Sequence, residues 1–142
     1  MLNPFALPIH PVVNHVAVAC LALTWVFLVL RYATGDHRWD QRVRTLEVIG
    51  VVALPPTIIA AFIDTRGFDF LIHPRADAPL IWHMTAGWVT AIVFAVHFFW
   101  RRGRISDDLH GSIAIVDLSL ATFGMLALVA TGLLAGEMVY GT

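Results

Sequence analysis

The chain is poor in the residues that anchor soluble chemistry. Lysine is absent, so all nine basic side chains are arginine, and charged residues make up only 13% of the sequence against 58% hydrophobic. A near-zero net charge of -1, with the arginines scattered in short connections rather than gathered in a patch, excludes a nucleic-acid partner. A single cysteine, Cys20, excludes an internal disulfide. No C-x-x-C-H run is present, so c-type haem cannot be attached covalently and any cofactor is held non-covalently. No H-E-x-x-H motif marks a zinc hydrolase. A basic leader is also missing, and the apolar run from Val12 to Leu30 is too long for a signal-peptide core. It is expected to be a retained helix.

What the chain does have is long apolar runs. The mean hydropathy of +0.77 lies outside the soluble range. A helix needs roughly 20 apolar residues to cross the hydrocarbon of a bilayer. Four segments meet that requirement: Val12 to Leu30, Leu46 to Ile63, Leu80 to Trp100 and Ile113 to Val139. With their flanks they predict helices over about 11–32, 45–64, 79–101 and 111–140 in one all-α, four-transmembrane-helix domain spanning residues 1–142. Pro11 and Pro79 sit in first turns, where a missing N–H costs nothing. Pro55-Pro56 interrupt the second run and should kink it.

Arginine placement sets the orientation. Arg31, Arg38, Arg42 and Arg44 flank the first connection and Arg101, Arg102 and Arg104 the third, whereas the second has only Arg66 and Arg75. The positive-inside rule puts the first and third connections in the cytoplasm and both termini on the outer, periplasmic side. Trp39, Trp82, Trp100, Tyr32 and Tyr140 fall near the interfaces that amphipathic rings prefer. Short connections imply an up-down-up-down bundle with the first and third helices diagonal.

A weak internal repeat picks out two histidines. Pro11-Val12-Val13-Asn14-His15 opens the first helix and Pro79-Leu80-Ile81-Trp82-His83 the third, so each proline is followed four residues later by a histidine at matched depth. Ionisable side chains inside a membrane generally face the bundle interior and mark function. Two neutral imidazoles facing each other across a bundle are what a six-coordinate b-type haem needs. Gly87, one turn from His83, together with Gly50, Gly124, Gly132 and Gly136, would let a flat ring approach the backbones, although small residues serve close helix packing equally well. Hydrogen-bonded structural histidines, a small metal ion, or no cofactor at all remain open readings.

A second site is also conceivable. His97 follows His83 at a rise of about 21 Å on nearly the same helix face, a spacing that resembles the two-haem helices of the cytochrome b bundle. The second ligand would have to come from His110 or His37, because Val29 occupies the equivalent place on the first helix. Alternatively Asp117 meets His97 at similar depth, forming a proton relay, a quinone head-group site or a plain structural hydrogen bond. At the outer rim His10, His73, Asp64, Asp69, Asp77 and Glu137 gather near the histidine pair. A copper or zinc site from His10, His15 and His83 is a further reading that the spacing by itself does not support, and the other rim residues are expected to be solvated.

Together, His10-Pro11-Val12-Val13-Asn14-His15, Phe62-Ile63-Asp64, His83 and Gly136-Glu137-Met138-Val139-Tyr140 resemble the bacterial membrane proteins grouped as the "domain of unknown function 2231" family, which opens H-P-x-x-x-H and closes G-G-E-L-V-Y. The likeness covers nearly the whole chain. It departs at Val16-Ala17-Val18, where the family has Phe-Pro-Ile, and at Ala135, which replaces the first closing glycine. The resemblance implies a multi-pass protein of the bacterial inner membrane with four helices and signature positions at His10, His15 and His83. Some relatives are joined to Rieske-type or cytochrome-like domains, which points to electron transfer with other membrane or redox subunits. The expectation is therefore a b-type cytochrome-like subunit with haem between His15 and His83, and a second haem or a quinone as an addition. The alternatives are a cofactor-free accessory subunit of a larger membrane complex and a pigment-binding accessory subunit. Four helices leave little room for a transporter's gated path.

Overall fold

The computed structural model describes the backbone of residues 9–64, 78–103 and 112–140, and side chains over 13–63, 80–103 and 113–137. Four helices account for nearly all of it: α1 (Ile9–Thr34), α2 (Arg38–Asp64), α3 (Ala78–Arg102) and α4 (Ser112–Tyr140). Each contains a stretch long and apolar enough to cross a membrane.

Consecutive helices pair as hairpins, α1 with α2 and α3 with α4. The hairpins meet through sparser α1–α4 and α2–α3 contacts, which leaves α1 and α3 on a diagonal as expected. α2 starts seven residues earlier than the apolar run predicts, because its first two turns are polar and carry no hydropathy signal. The turn before it explains the early start. Gly35 takes the left-handed φ of 69° that only glycine adopts without strain, and its N–H donates to the Arg31 carbonyl at 3.0 Å. Asp36 Oδ1 then accepts from the Arg38 N–H at 2.9 Å, capping the new helix. The Arg38 side chain and N–H hold the Asp36 carboxyl below its ordinary range. α2 runs unbroken through Pro55 and Pro56, both of which are exposed.

The side chains are distributed inside out. Val52, Phe99, Ile115 and Leu133 are 67–70% exposed, while Arg31, Glu47, His97 and Asp117 are buried. Water would penalise that arrangement, whereas hydrocarbon favours it. Threonine hydroxyls fit the same solvent: those of Thr24, Thr57, Thr90 and Thr131 each donate to the carbonyl one turn back at 2.8–2.9 Å, so none is left unsatisfied.

Two apolar layers form the core. Leu21, Phe94 and Leu128 make the middle one, and Leu28, Val43 and Ala121 the one nearer the arginine-rich end. Glycines set the hairpin spacing in the middle layer. A Cβ on Gly50 would lie 2.6 Å from Leu21 Cδ2, and one on Gly124 would lie 2.9 Å from Phe94 Cε2. These two glycines therefore serve helix packing, and the expectation that they admit a flat ring is corrected: Leu21 and Phe94 already occupy the space.

Candidate functional site: an aliphatic cavity and a buried ionic network

Away from the arginine-rich end the two hairpins enclose a cavity of about 450 Å³. That volume falls within the range of small-molecule and cofactor sites. Most of its wall is aliphatic, from residues such as Val18, Leu54 and Leu128, with Asn14, His15, His83, Thr57, Thr90 and Thr131 as the polar groups. The structure thus brings the two histidines singled out by the repeat, on diagonal helices, to one cavity. His83 Nδ1 lies 3.0 Å from the Thr131 carbonyl oxygen. A carbonyl only accepts, so Nδ1 carries a proton, and in the neutral ring Nε2 then keeps its lone pair. Metal-bound histidines are commonly held this way by a carbonyl on the far ring nitrogen. Gly87 also lines the cavity, and a Cβ there would touch only Thr131 Cγ2, at 3.9 Å. Gly132 and Gly136 would meet nothing within 4 Å. His15 is exposed and has an interaction partner of its own.

The other expected positions fare differently. His73, Asp69, Asp77 and His110 lie outside the described residues, as do the side chains of His10 and Asp64. Glu137 is exposed and is not part of the cavity wall. Among the described residues no group of three histidine, cysteine, aspartate or glutamate side chains is arranged to hold a metal ion.

Toward the arginine-rich end, below the Leu21–Phe94–Leu128 layer, lies a second polar assembly. His97 is fully buried between two carboxylates: Nδ1 is 2.5 Å from Glu47 Oε1 and Nε2 is 3.0 Å from Asp117 Oδ1. The Asp117 contact is at hydrogen-bond distance but outside good hydrogen-bond geometry. Asp117 Oδ2 in turn accepts from the Tyr32 hydroxyl at 2.8 Å and from Arg101 Nη1. Arg101 also approaches Glu47 Oε2 at 3.9 Å and Asp40 Oδ1 at 3.8 Å. Asp40 takes both its oxygens to Arg31 Nε, at 3.1 and 3.0 Å, and Arg31 Nη2 donates to His37 Nδ1 at 3.0 Å.

This network uses all four helices. His97 and Asp117 meet at the depth the sequence suggests, and both ring nitrogens of His97 face carboxylate oxygens, while His110, named above as a partner ligand for a second haem, lies outside the described residues. Glu47, Arg101, Arg31, Asp40 and Tyr32 are members that sequence reasoning passed over. The interval from Arg31 to Arg101 equals that from Glu47 to Asp117, two residues longer than the interval from His15 to His83. That equality, and an acid one residue inside the second apolar run, were the available signals.

Residues 6–142 match the family model described as predicted membrane protein (DUF2231). No curated protein and no solved structure matches the chain.

Proposed function

Since the chain belongs to the DUF2231 family of predicted membrane proteins, we propose that it is a membrane-embedded, b-type cytochrome-like electron-transfer subunit in which His15 and His83 hold haem in the cavity they share. The observation that carries this reading is the His83 ring, whose Nδ1–H is tied to the Thr131 carbonyl at 3.0 Å so that Nε2 is left as a lone pair beside the cavity. His15, on the diagonal helix, lines the same space and supplies the second imidazole. Gly87 removes a side chain where a macrocycle needs room.

Bound haem would supply a one-electron redox couple whose potential depends on burial and axial ligation. The protein's own contribution is to fix the tautomer and orientation of His83 through α4, to wall the site with aliphatic side chains, and to exclude water. The Leu21–Phe94–Leu128 layer separates this cavity from the ionic network. Electrons would pass to and from a quinone or another membrane or redox subunit at the outer face.

The test is a dithionite-reduced minus air-oxidised visible spectrum of detergent-purified protein, with a pyridine haemochrome assay. A sharp α band at about one haem per chain, lost in both His15→Ala and His83→Ala, supports the reading. Loss in only one variant indicates a singly ligated pigment. A colourless preparation after growth with a haem precursor sinks the proposal and leaves a cofactor-free accessory subunit.

A further inference from the structure

The buried network has an odd charge count. Its carboxylates are Asp40, Glu47 and Asp117, and its permanent cations are Arg31 and Arg101. These residues come from every helix packed around His97: Arg31 and Tyr32 from α1, Asp40 and Glu47 from α2, Arg101 from α3 and Asp117 from α4. With His97 neutral, the charged groups nearest it, Glu47 and Asp117 against Arg101, carry a net charge of one minus, and the Arg31–Asp40 ion pair beside them leaves that balance unchanged. Excess charge in a membrane interior is expensive, and one proton removes it.

The geometry says where that proton sits. Carboxylates only accept hydrogen bonds, and both ring nitrogens of His97 face carboxylate oxygens, at 2.5 and 3.0 Å. A neutral imidazole has one N–H and would set a lone pair against one of the two acids. We infer that Glu47, His97 and Asp117 form a proton-binding site that holds one proton, centred on His97 as imidazolium, and so clamps the two helical hairpins together.

The clamp follows from the elements involved. Glu47 belongs to the first hairpin, whereas His97 and Asp117 belong to the second, and α2 and α3 otherwise touch only sparsely. When the proton leaves to water at the arginine-rich face, one nitrogen loses its N–H and one carboxylate contact turns from attractive to repulsive. If the Glu47 contact is lost, the seam between the hairpins weakens at its ionic end. The inference does not depend on haem, because neither His15 nor His83 belongs to the network.

The charge count also yields a sharper expectation. Glu47→Gln removes one negative charge, which leaves two carboxylates against two arginines. The network is then balanced without the extra proton, so His97 should become neutral.

Nitrogen NMR of the full chain labelled with ¹⁵N-histidine, in lipid nanodiscs at neutral pH, reads this directly. His97 is assigned by loss of its signals in His97→Asn or, if that variant does not fold, from a chain in which His97 is the one histidine retained. The expected wild-type spectrum has both His97 nitrogens protonated, and Glu47→Gln shows one protonated and one bare nitrogen. A bare nitrogen on His97 in the wild type overturns the proposal, as does an imidazolium that persists in Glu47→Gln. The wild-type spectrum decides the matter alone should Glu47→Gln fail to fold.

Discussion

Replacing Gly124 by alanine sets two measurable effects against each other at a site where the structure fixes both. Alanine is the better helix former by about 1 kcal/mol, so on backbone grounds the variant should gain stability. The new methyl, however, would sit 2.9 Å from Phe94 Cε2 and 3.2 Å from Cδ2 and Cζ. Comfortable carbon contacts lie at roughly 3.5–4.0 Å, so the ring or the helix must yield by more than about half an ångström. Phe94 is completely buried and packed in the Leu21–Phe94–Leu128 layer. Overpacking of this kind costs about 1–3 kcal/mol. The net expectation is a loss of up to about 2 kcal/mol, or a fall of up to roughly 30-fold in the folded-to-unfolded ratio. Gly87→Ala is the matched control, since its methyl meets only Thr131 Cγ2 at 3.9 Å and keeps the propensity gain. Unfolding both variants in mixed micelles of increasing SDS fraction compares them with the wild type. Gly124→Ala as stable as Gly87→Ala would refute the view that Gly124 sets the α3–α4 spacing.

Filling the histidine-lined cavity from the Gly87 wall should separate binding from folding: Gly87→Leu is expected to remove bound haem, read by the Soret band, while leaving the SDS midpoint close to that of Gly87→Ala. Asp117→Ala takes the acceptor that Tyr32 and Arg101 share and one of the two carboxylates beside His97, leaving Glu47 as the acid that still faces both Arg101 and His97, and should cost about 3–5 kcal/mol in the same unfolding assay. Tyr32→Phe takes only the hydroxyl from Asp117 Oδ2 and should cost about 1.5–3 kcal/mol; equal losses in these two variants would contradict the hierarchy of contacts. At the first turn, Arg38 lowers the Asp36 carboxyl relative to the unfolded chain. The cap is therefore fully present above about pH 4, the ordinary carboxylate value, and is lost as pH falls through the lower folded value. The Arg38 amide proton shift should titrate accordingly, and a midpoint at or above the ordinary value would contradict the assignment.

Much of the architecture was legible because a bilayer is an undemanding reader of sequence. Hydrocarbon thickness and the need to satisfy every backbone group internally turn an apolar run of sufficient length into a spanning helix, and short connections then make neighbours antiparallel. The start of α2 escaped because Arg38 to Thr45 is polar helix beyond the apolar run, and a hydropathy pattern cannot mark an end set by Gly35 and Asp36.

The candidate site divides along the same line. The matched prolines and histidines of the two hairpins put His15 and His83 at one depth, and His97 and Asp117 at another, from helix rise alone. Which side chains touch depends on each helix's rotation and on how closely the hairpins approach, and one residue of register turns a side chain by about 100°. Packing therefore assigned Gly50 and Gly124 to Leu21 and Phe94 rather than to a ligand, and left Gly87 beside open space. Packing also drew Glu47 and Arg101, which read in sequence as charges at helix ends, into the bundle around His97. The spans and their order belong to the sequence because solvent imposes them residue by residue, whereas the cavity and the ionic network belong to the tertiary structure because each is assembled from groups on separate helices.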